Sequence, residues 1–466
     1  MSHLPAIAVA APFPPLAAAS AADAALQHCQ SGAIDSVECA LSDLSSVARG
    51  KILSASEFVA QRGTRLPSII FGTTVVGGEP ASVYQDLIPP TYPDVALVPD
   101  WPTFAPDPLT PGRATVLCDV RGSFTTPRGV LIDAATLAPR SILQRVLAQL
   151  EARGLTARVA PELEFFLFAM PPAGHGGPLA PAASPFHAQR REQFIDIFSL
   201  EQTAAFEPFF STLWAACRAQ GIPVTGYSHE AAAGQYEVNF APGAPLAQAD
   251  AVFRFKRLAR EVGLRYGCCA TFLAKPGLDG PGSGMHWHLS LQERASGRNV
   301  FSDGSPALQQ FIGGLQRHAR ASTALFAPYQ NSYLRFQKHE AAPATASWGQ
   351  DDRSVAFRIP VSDPANRRVE NRLPGADANP YLLLALMLAA GLDGLEQQLA
   401  PSAQADALPL SLEAALAALE DDGWLRALLG APFVQTYTAL KRHELAQRAA
   451  APVGLEWDIA QLLFHA

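Results

Sequence analysis

The chain has 466 residues, is 48% hydrophobic and carries 35 basic against 42 acidic side chains, a formal charge of -7. That length allows a large core and suggests two or more domains, while an acidic balance with no Lys/Arg stripe argues against a nucleic-acid footprint and fits small-molecule chemistry. Six cysteines without CxxC spacing indicate neither a disulfide framework nor a zinc ribbon, and point to a reducing, cytoplasmic setting.

Residues 1–25 are Ala/Pro-rich, and no Lys or Arg precedes Arg49. They read as a disordered tail rather than a secretory leader, which needs a charged start and an unbroken apolar run. Residues 26–122 read as a small α+β domain. SVECALSDL and PSIIFGTTVVGG are β-rich, SASEFVAQRG has the pattern of a short helix, and ATVLCDV that of a strand. Between them IPPTYPDVALVPDWPTFAPDPLTPG is too proline-dense for helix and is expected to be irregular, and RGSFTTPRG reads as a linker.

Residues 123–466 form the second expected domain. APRSILQRVLAQLEARG has apolar residues at helical spacing with Gly154 as its stop, and the strand TARVAPELEFFLF follows. MPPAGHGGPLAPAASP is a loop by composition, and a helix is expected around residues 206–220. The last third is mainly helical, with Asn379 and Pro380 as cap and first turn before YLLLALMLAAGL. Its apolar run, residues 381–390, is shorter than the ~20 residues that span a bilayer, so no membrane partner is expected.

The strand PELEFFLF places two acids among hydrophobes. Strand side chains alternate, so Glu162 and Glu164 share one face, opposite Leu163, Phe165 and Leu167. A solvent-facing strand end explains an isolated ExE, but the pattern recurs. Gln235, Glu237 and Asn239 share a face in GQYEVNF, with Glu230 just upstream. His286, His288 and Ser290 do so in GSGMHWHLSL, and Arg368, Glu370 and Arg372 in RRVENRLP. If these faces line one cavity, the carboxylates repel one another unless cations neutralise them. Oxygen ligands with an imidazole suit Mg²⁺ or Mn²⁺, and this many acids suggest two or more ions around a polyphosphate. Arg335, Arg353, Arg358, Arg368 and Arg372 supply forked donors for phosphate and carboxylate. No GxxxxGK[ST], GxGxxG or GxSxG occurs, whereas the HxH of His286 and His288 also fits a zinc metallohydrolase.

Taken together, these motifs resemble the glutamine synthetase family. PELEFFLF is similar to its PExEFFLF strand, HEAAAGQYEVNF to its HE…GQxE segment, and GSGMHWHLSL to its GxGMHxHxS segment. NSYLRF resembles its NSYxR loop, and RRVENRLPGADANPYL its RRxExRxPxxxANPYL block. The likeness runs from about Ser36 to the end of the chain. It implies an α+β protein: an N-terminal β-grasp domain, then a catalytic α/β domain whose antiparallel strands form an active-site funnel. It implies a homo-oligomer, a dodecamer of two stacked hexameric rings, and an ATP-dependent ligase that activates the γ-carboxylate of L-glutamate as γ-glutamyl phosphate. Two or three Mg²⁺ or Mn²⁺ per site are implied. Glu164, Glu230 and Glu237 would hold one ion and Glu162, His286 and Glu370 another. Gly282, His286, Arg335 and Arg372 would contact glutamate; His288, Ser290, Arg353, Arg358 and Arg368 would surround ATP; and Glu164, Arg335, Arg353 and Arg358 would be catalytic.

The departures concern the amine. By the resemblance, ammonia-using members carry an Asp in an FDGS-like stretch and a Glu in a GxEAP flap. Here the first reads FGTTV, with Gly72 or Thr73 at the acid position, and the second HEAAP, with Ala341 there and Glu340 one residue early. These changes point to a γ-glutamyl–amine ligase resembling γ-glutamylpolyamine or γ-glutamylputrescine synthetases. A true glutamine synthetase, with Glu340 shifted into place, and a non-catalytic assembly protein are the alternatives. Trp287, Tyr236 and Trp348 are candidate walls for the amine by residue type, or plain core. SAQADALPLSL lacks the tyrosine loop that is adenylylated in many bacterial members.

Overall fold

The computed structural model describes residues 7–13, 20–171, 179–192, 196–302, 304–338 and 342–465. The first sheet comprises β1 (Ser36–Ser42), β2 (Ala48–Ser54), β3 (Thr64–Pro67), β4 (Asp94–Pro99), β5 (Ala105–Pro106) and β6 (Arg113–Arg121). Their order is β2-β1-β6-β4-β3, with β5 on β6. β1 and β6 run parallel and the other pairs antiparallel. The expected short helix is Ala55–Gln61, capped by Ser54, whose hydroxyl accepts from the Glu57 N–H. Phe58 on that helix is fully buried.

Four expectations for this half need correction. PSIIFGTTVVGG is not a strand: Ser68–Phe71 is a 3₁₀ turn and the Thr74 N–H closes a loop onto Gly78, because Pro67 and the paired glycines override the β-propensity of the isoleucines and valines. In the proline-dense stretch, residues 94–99 form β4 between β3 and β6, since Pro93 and Pro99 stand at its ends and leave the ladder intact. The expected linker RGSFTTPRG contributes to a hairpin, β7 (Ser123–Thr125) with β8 (Leu131–Asp133), turning at Gly129 with φ +80°. Residues 21–25, assigned to the disordered tail, begin the helix Ala21–Gln30. Ser20 caps it, Ala25 and Leu26 are buried, and Phe13 stacks on His28 at 4.4 Å.

The second sheet is built on β9 (Leu155–Ala169). After a small pair, β10 (Ala183–Ser184) and β11 (His187–Arg191), come β12 (Val224–His229), β13 (Gln235–Phe240), β14 (Cys268–Thr271), β15 (Met285–Glu293), β16 (Trp348–Gln350), β17 (Phe357–Ile359) and β18 (Val369–Asn371). The order is β12-β13-β9-β15-β18-β17-β16, with β14 on β9. The ladder is antiparallel except for β16 and β17, which run parallel.

One face of β9 is core: Leu163, Phe165 and Leu167 are fully buried, as are Tyr236 and Trp287 on its neighbours. Helices Pro139–Ala152 and Pro245–Arg265 pack against β9, and Pro380–Glu396 packs on both of these and on Ala307–Phe326. The helix Pro380–Glu396 is apolar on all sides and begins as expected, with Asn379 accepting from the N–H groups of Tyr381 and Leu382. It touches its neighbour backbone to backbone, and a Cβ on Gly314 would lie 2.0 Å from the Ala390 carbonyl oxygen. Arg140 fastens the two sheets' surroundings together. Its guanidinium reaches Asp119 on β6 at 2.5 Å, Asp250 at 2.9 and 3.0 Å, and Asp100 after β4.

Candidate active site

Register carries the site. On the polar face of the second sheet, Glu164 on β9 stands directly opposite Glu237 on β13, and Glu162 lies between Asn239 on β13 and His286 on β15. One row further, His288 on β15 faces Glu370 on β18, which faces Arg358 on β17. The four strands singled out in the sequence therefore converge, and the period-two alternation that buries Phe165, Tyr236 and Trp287 on one side gathers the acids and imidazoles on the other.

His288 Nε2 and Glu162 Oε1 are 2.9 Å apart. His286 Nδ1 lies 3.8 Å from both Glu162 and Glu370, and its Nε2 lies 3.9 Å from Glu164. Glu164 accepts from the Gly284 N–H at 2.7 Å and from Gln235 Nε2 at 3.3 Å. Glu370 is held between Arg358 Nη1 at 2.9 Å and Arg372 Nη1 at 2.5 Å. Glu237 accepts from Asn239 Nδ2 at 2.9 Å.

The electrostatics divide the carboxylates. Burial, reinforced by Glu164, pushes Glu230 up to about 7. Burial, then Glu162 and Glu164, pushes Glu237 up to about 8. At Glu162 burial acts in the same direction, but His286 and His288 outweigh it and hold the carboxyl well below its ordinary range. Glu370 is lowered likewise, burial being overcome by His286, His288 and Arg372.

This donor set fits divalent cations. Ligand atoms of Glu162, His288 and Glu370 lie within 4.8 Å of one another, as do those of Glu162, Glu237 and His286. Carboxylate oxygens with imidazole nitrogens suit a hard or borderline ion, and crowded acids raised toward neutrality are what a cation relieves. The grouping differs from the one expected. Glu162 belongs to both clusters because it sits between two histidines, and His288, expected at the nucleotide, joins one of them. Glu164 and Glu230 belong to neither, Glu164 being turned to Gly284 and Gln235.

Arg335 and Arg372 are buried at the rim, Arg335 donating to the Leu373 carbonyl at 3.0 Å. Gly282 lies against Arg335: a Cβ there would lie 2.6 Å from Arg335 Cγ, and its carbonyl accepts from Gln235 at 3.0 Å. Arg368 Nε lies 3.2 Å from His288 Nδ1. Ser290 is half-buried one step further along β15. Arg353 is exposed, and its carbonyl accepts from Arg372 Nε at 3.2 Å.

Of the candidate amine walls, Trp287 and Tyr236 are fully buried on the apolar face, so both are core and not pocket walls. Alternation excludes them from the acids' side of the sheet. Trp348 is half-buried and donates to the Ser402 carbonyl at 3.1 Å. In the FGTTV stretch, the Val75 N–H donates to Glu444 at 2.8 Å and Thr73 Oγ1 is buried with no hydrogen-bond partner among the described residues. Glu340 and Ala341 lie outside the described residues.

Sequence reasoning left Gln235 without a role and passed over Glu192 and His229. A cavity of about 80 Å³ also lies far from the acids, between the first sheet and the helix Pro245–Arg265. It holds the 2.7 Å pair of Arg257 with Glu38 and reads as a gap between layers.

Residues 136–460 match the family model described as glutamine synthetase, catalytic domain. The chain is 33% identical to γ-glutamylputrescine synthetase PuuA of Escherichia coli (strain K12), over 90% of this chain and 91% of that one. It is 30% identical to a glutamate–isopropylamine ligase of a Pseudomonas species, over 92% of this chain and 95% of the relative. A solved structure of GmaS, apo and without ligand, superposes with a TM-score of 0.76 at 29% identity, covering 93% of this chain and 98% of that one.

Proposed function

Because this chain belongs to the glutamine synthetase family and is an ATP-dependent ligase joining glutamate to an amine, we propose that its acceptor is an organic amine, a polyamine or another small amine, rather than ammonium. The observation that carries the choice is the FGTTV turn. Thr73 brings an uncharged hydroxyl, and residues 71–75 contain no acid to hold an ammonium ion or take its proton. A cation held without nearby anions gains little, whereas a carbon-bearing amine adds apolar contacts. The relatives named for putrescine and isopropylamine support the same reading.

A divalent cation and ATP serve the reaction. Following the family's pattern rather than the spacing of the side chains without ions, we assign Glu164, Glu230 and Glu237 to one ion and Glu162, His286 and Glu370 to another, with two or three Mg²⁺ or Mn²⁺ per site. Bound there, such ions would neutralise the acids and supply positive charge for phosphoryl transfer. Gly282, His286, Arg335 and Arg372 are assigned to glutamate; His288, Ser290, Arg353, Arg358 and Arg368 to ATP. Among these, Glu164, Arg335, Arg353 and Arg358 form the catalytic group.

In the first step an oxygen of the γ-carboxylate attacks the terminal phosphorus of ATP, the bond to ADP breaks, and γ-glutamyl phosphate forms. Arg335 and Arg372, already buried, and Arg358 and Arg368, half-buried, spread the equatorial charge with little reorganisation. In the second step the amine nitrogen attacks the acyl carbon, phosphate leaves with the C–O bonding pair, and the nitrogen loses a proton.

The assembly we propose is a cytoplasmic dodecamer of two stacked hexameric rings, with residues 26–122 as the N-terminal domain and 123–466 as the catalytic one. Among the described residues no helix is long and apolar enough to cross a membrane. Competition tests the acceptor: with ammonium and putrescine together, γ-glutamylputrescine or another organic adduct dominates if the reading holds, and glutamine dominates if it fails.

A further inference from the structure

Glu192 follows β11 on the excursion between β9 and β12, and its side chain is 3% exposed. Three hydrogen bonds converge on its carboxylate. Its Oε2 lies 2.9 Å from His229 Nε2 and also accepts from the Gly234 N–H, and its Oε1 accepts from the Tyr236 hydroxyl at 2.9 Å. His229, fully buried, passes the contact on, because its Nδ1 donates to the Glu230 carbonyl at 2.8 Å. That carbonyl can only accept, so the ring is fixed at both nitrogens.

All three partners lie on one hairpin. His229 ends β12, Gly234 is in the turn and Tyr236 is on β13, so one carboxylate spans the stretch that presents Glu230 and Glu237 to the polar face. Gly234 has φ +75°, and a Cβ there would meet the Leu167 carbonyl at 2.8 Å, so the turn is held close against β9. The same excursion grips the hairpin a second time, through the Phe198 N–H and the His229 carbonyl at 3.0 Å, with Phe198 at φ +61°. This carboxylate is matched on both oxygens to donors that flank two of the site's acids.

We propose that Glu192 is a positioning residue, which through His229, Gly234 and Tyr236 sets the separation and direction of Glu230 and Glu237 and thereby the cation affinity of that half of the site. The inference rests on the metal-site reading above. Partners that orient metal-binding side chains typically change affinity by roughly ten- to a hundredfold when altered.

The test is Mn²⁺ binding to the full-length protein without ATP or glutamate, followed by the electron paramagnetic resonance of free Mn²⁺, together with the Mn²⁺ dependence of turnover. Glu192→Gln replaces one acceptor oxygen by a donor in the same space. The expected result is Mn²⁺ binding weakened by roughly tenfold or more, with assembly retained and turnover recovered at high Mn²⁺. Tyr236→Phe keeps the ring packing, removes one bond and is expected to give a smaller shift in the same direction; it carries the test alone if Glu192→Gln does not fold. Unchanged Mn²⁺ affinity in the folded variants overturns the inference, whether or not thermal stability drops, because that result leaves Glu192 a purely structural role. A wild-type protein that binds no Mn²⁺ fails earlier, at the metal site itself.

Discussion

Glu164 on β9 and Glu237 on β13 face one another directly across an antiparallel pair. Like charges opposite each other destabilise a sheet, and here burial adds to the penalty by pushing Glu237 up to about 8. The proposed assignment of both residues to one cation accounts for an arrangement that costs folding energy on two adjacent strands.

Replacement of Glu164 tests that account. Glu164→Gln keeps the size of the side chain and the bond to the Gly284 N–H while removing the charge. Turnover is expected to fall about a hundredfold or more, with assembly intact. Retained activity would mean that Glu164 is not a ligand.

Stability without metal should depend on pH with a definite sign. Glu230 and Glu237 are raised in the fold, to about 7 and about 8, from an ordinary 4.5. The folded state therefore holds these protons more tightly than the unfolded chain, and the stability they contribute is full below 4.5 and lost as pH rises toward 8. Glu162, lowered, acts in the opposite sense and only in acid. In chelator the unfolding temperature is expected to decline across this window, and Mg²⁺ or Mn²⁺ to flatten the decline while releasing protons. A profile in chelator identical to that with metal contradicts the assignment.

Acids installed at the amine end should change the acceptor. Thr73→Asp with Ala341→Glu is expected to raise kcat/KM for ammonium relative to organic amines, read as the ratio of glutamine to γ-glutamyl adduct. An unchanged ratio removes the link between FGTTV and amine choice.

Arg140 is a structural prediction. With its side chain 6% exposed and bonded to Asp119, Asp250 and Asp100, Arg140→Ala takes the guanidinium from the mostly buried Asp250, leaving it the Tyr381 hydroxyl, and from the part-exposed Asp119 and Asp100. Urea unfolding should show a loss of about 3–5 kcal/mol. A loss under about 1 kcal/mol is the behaviour of a surface pair and contradicts the role given to it.

Period-two alternation made the polar face legible. Glu162, Glu164, Glu237, His286, His288 and Glu370 stand out because strands that bury Leu163, Phe165, Tyr236 and Trp287 leave no apolar reason for acids between them. The amine-wall reading of Tyr236 and Trp287 failed by the same rule, which residue type alone does not apply. Glu192 left no trace in the sequence, since its partners are over thirty residues away and its surroundings read as loop. Near the start of the chain, β-rich composition at residues 67–78 gave way to the turn that Pro67 imposes, and β4 was hidden by prolines that fall at its ends. The division of acids between the ions comes from the family resemblance and not from alternation, because one side chain, Glu162, lies within reach of both histidines.

The most direct measurement is ADP release by the purified protein with ATP, Mg²⁺ or Mn²⁺ and L-glutamate across ammonium, putrescine, spermidine, spermine, ethanolamine and simple monoamines, with products identified by mass spectrometry. The account predicts a γ-glutamyl adduct of an organic amine and little glutamine. Glutamine as the main product would contradict it and make this an ammonia enzyme with a rebuilt ammonium site.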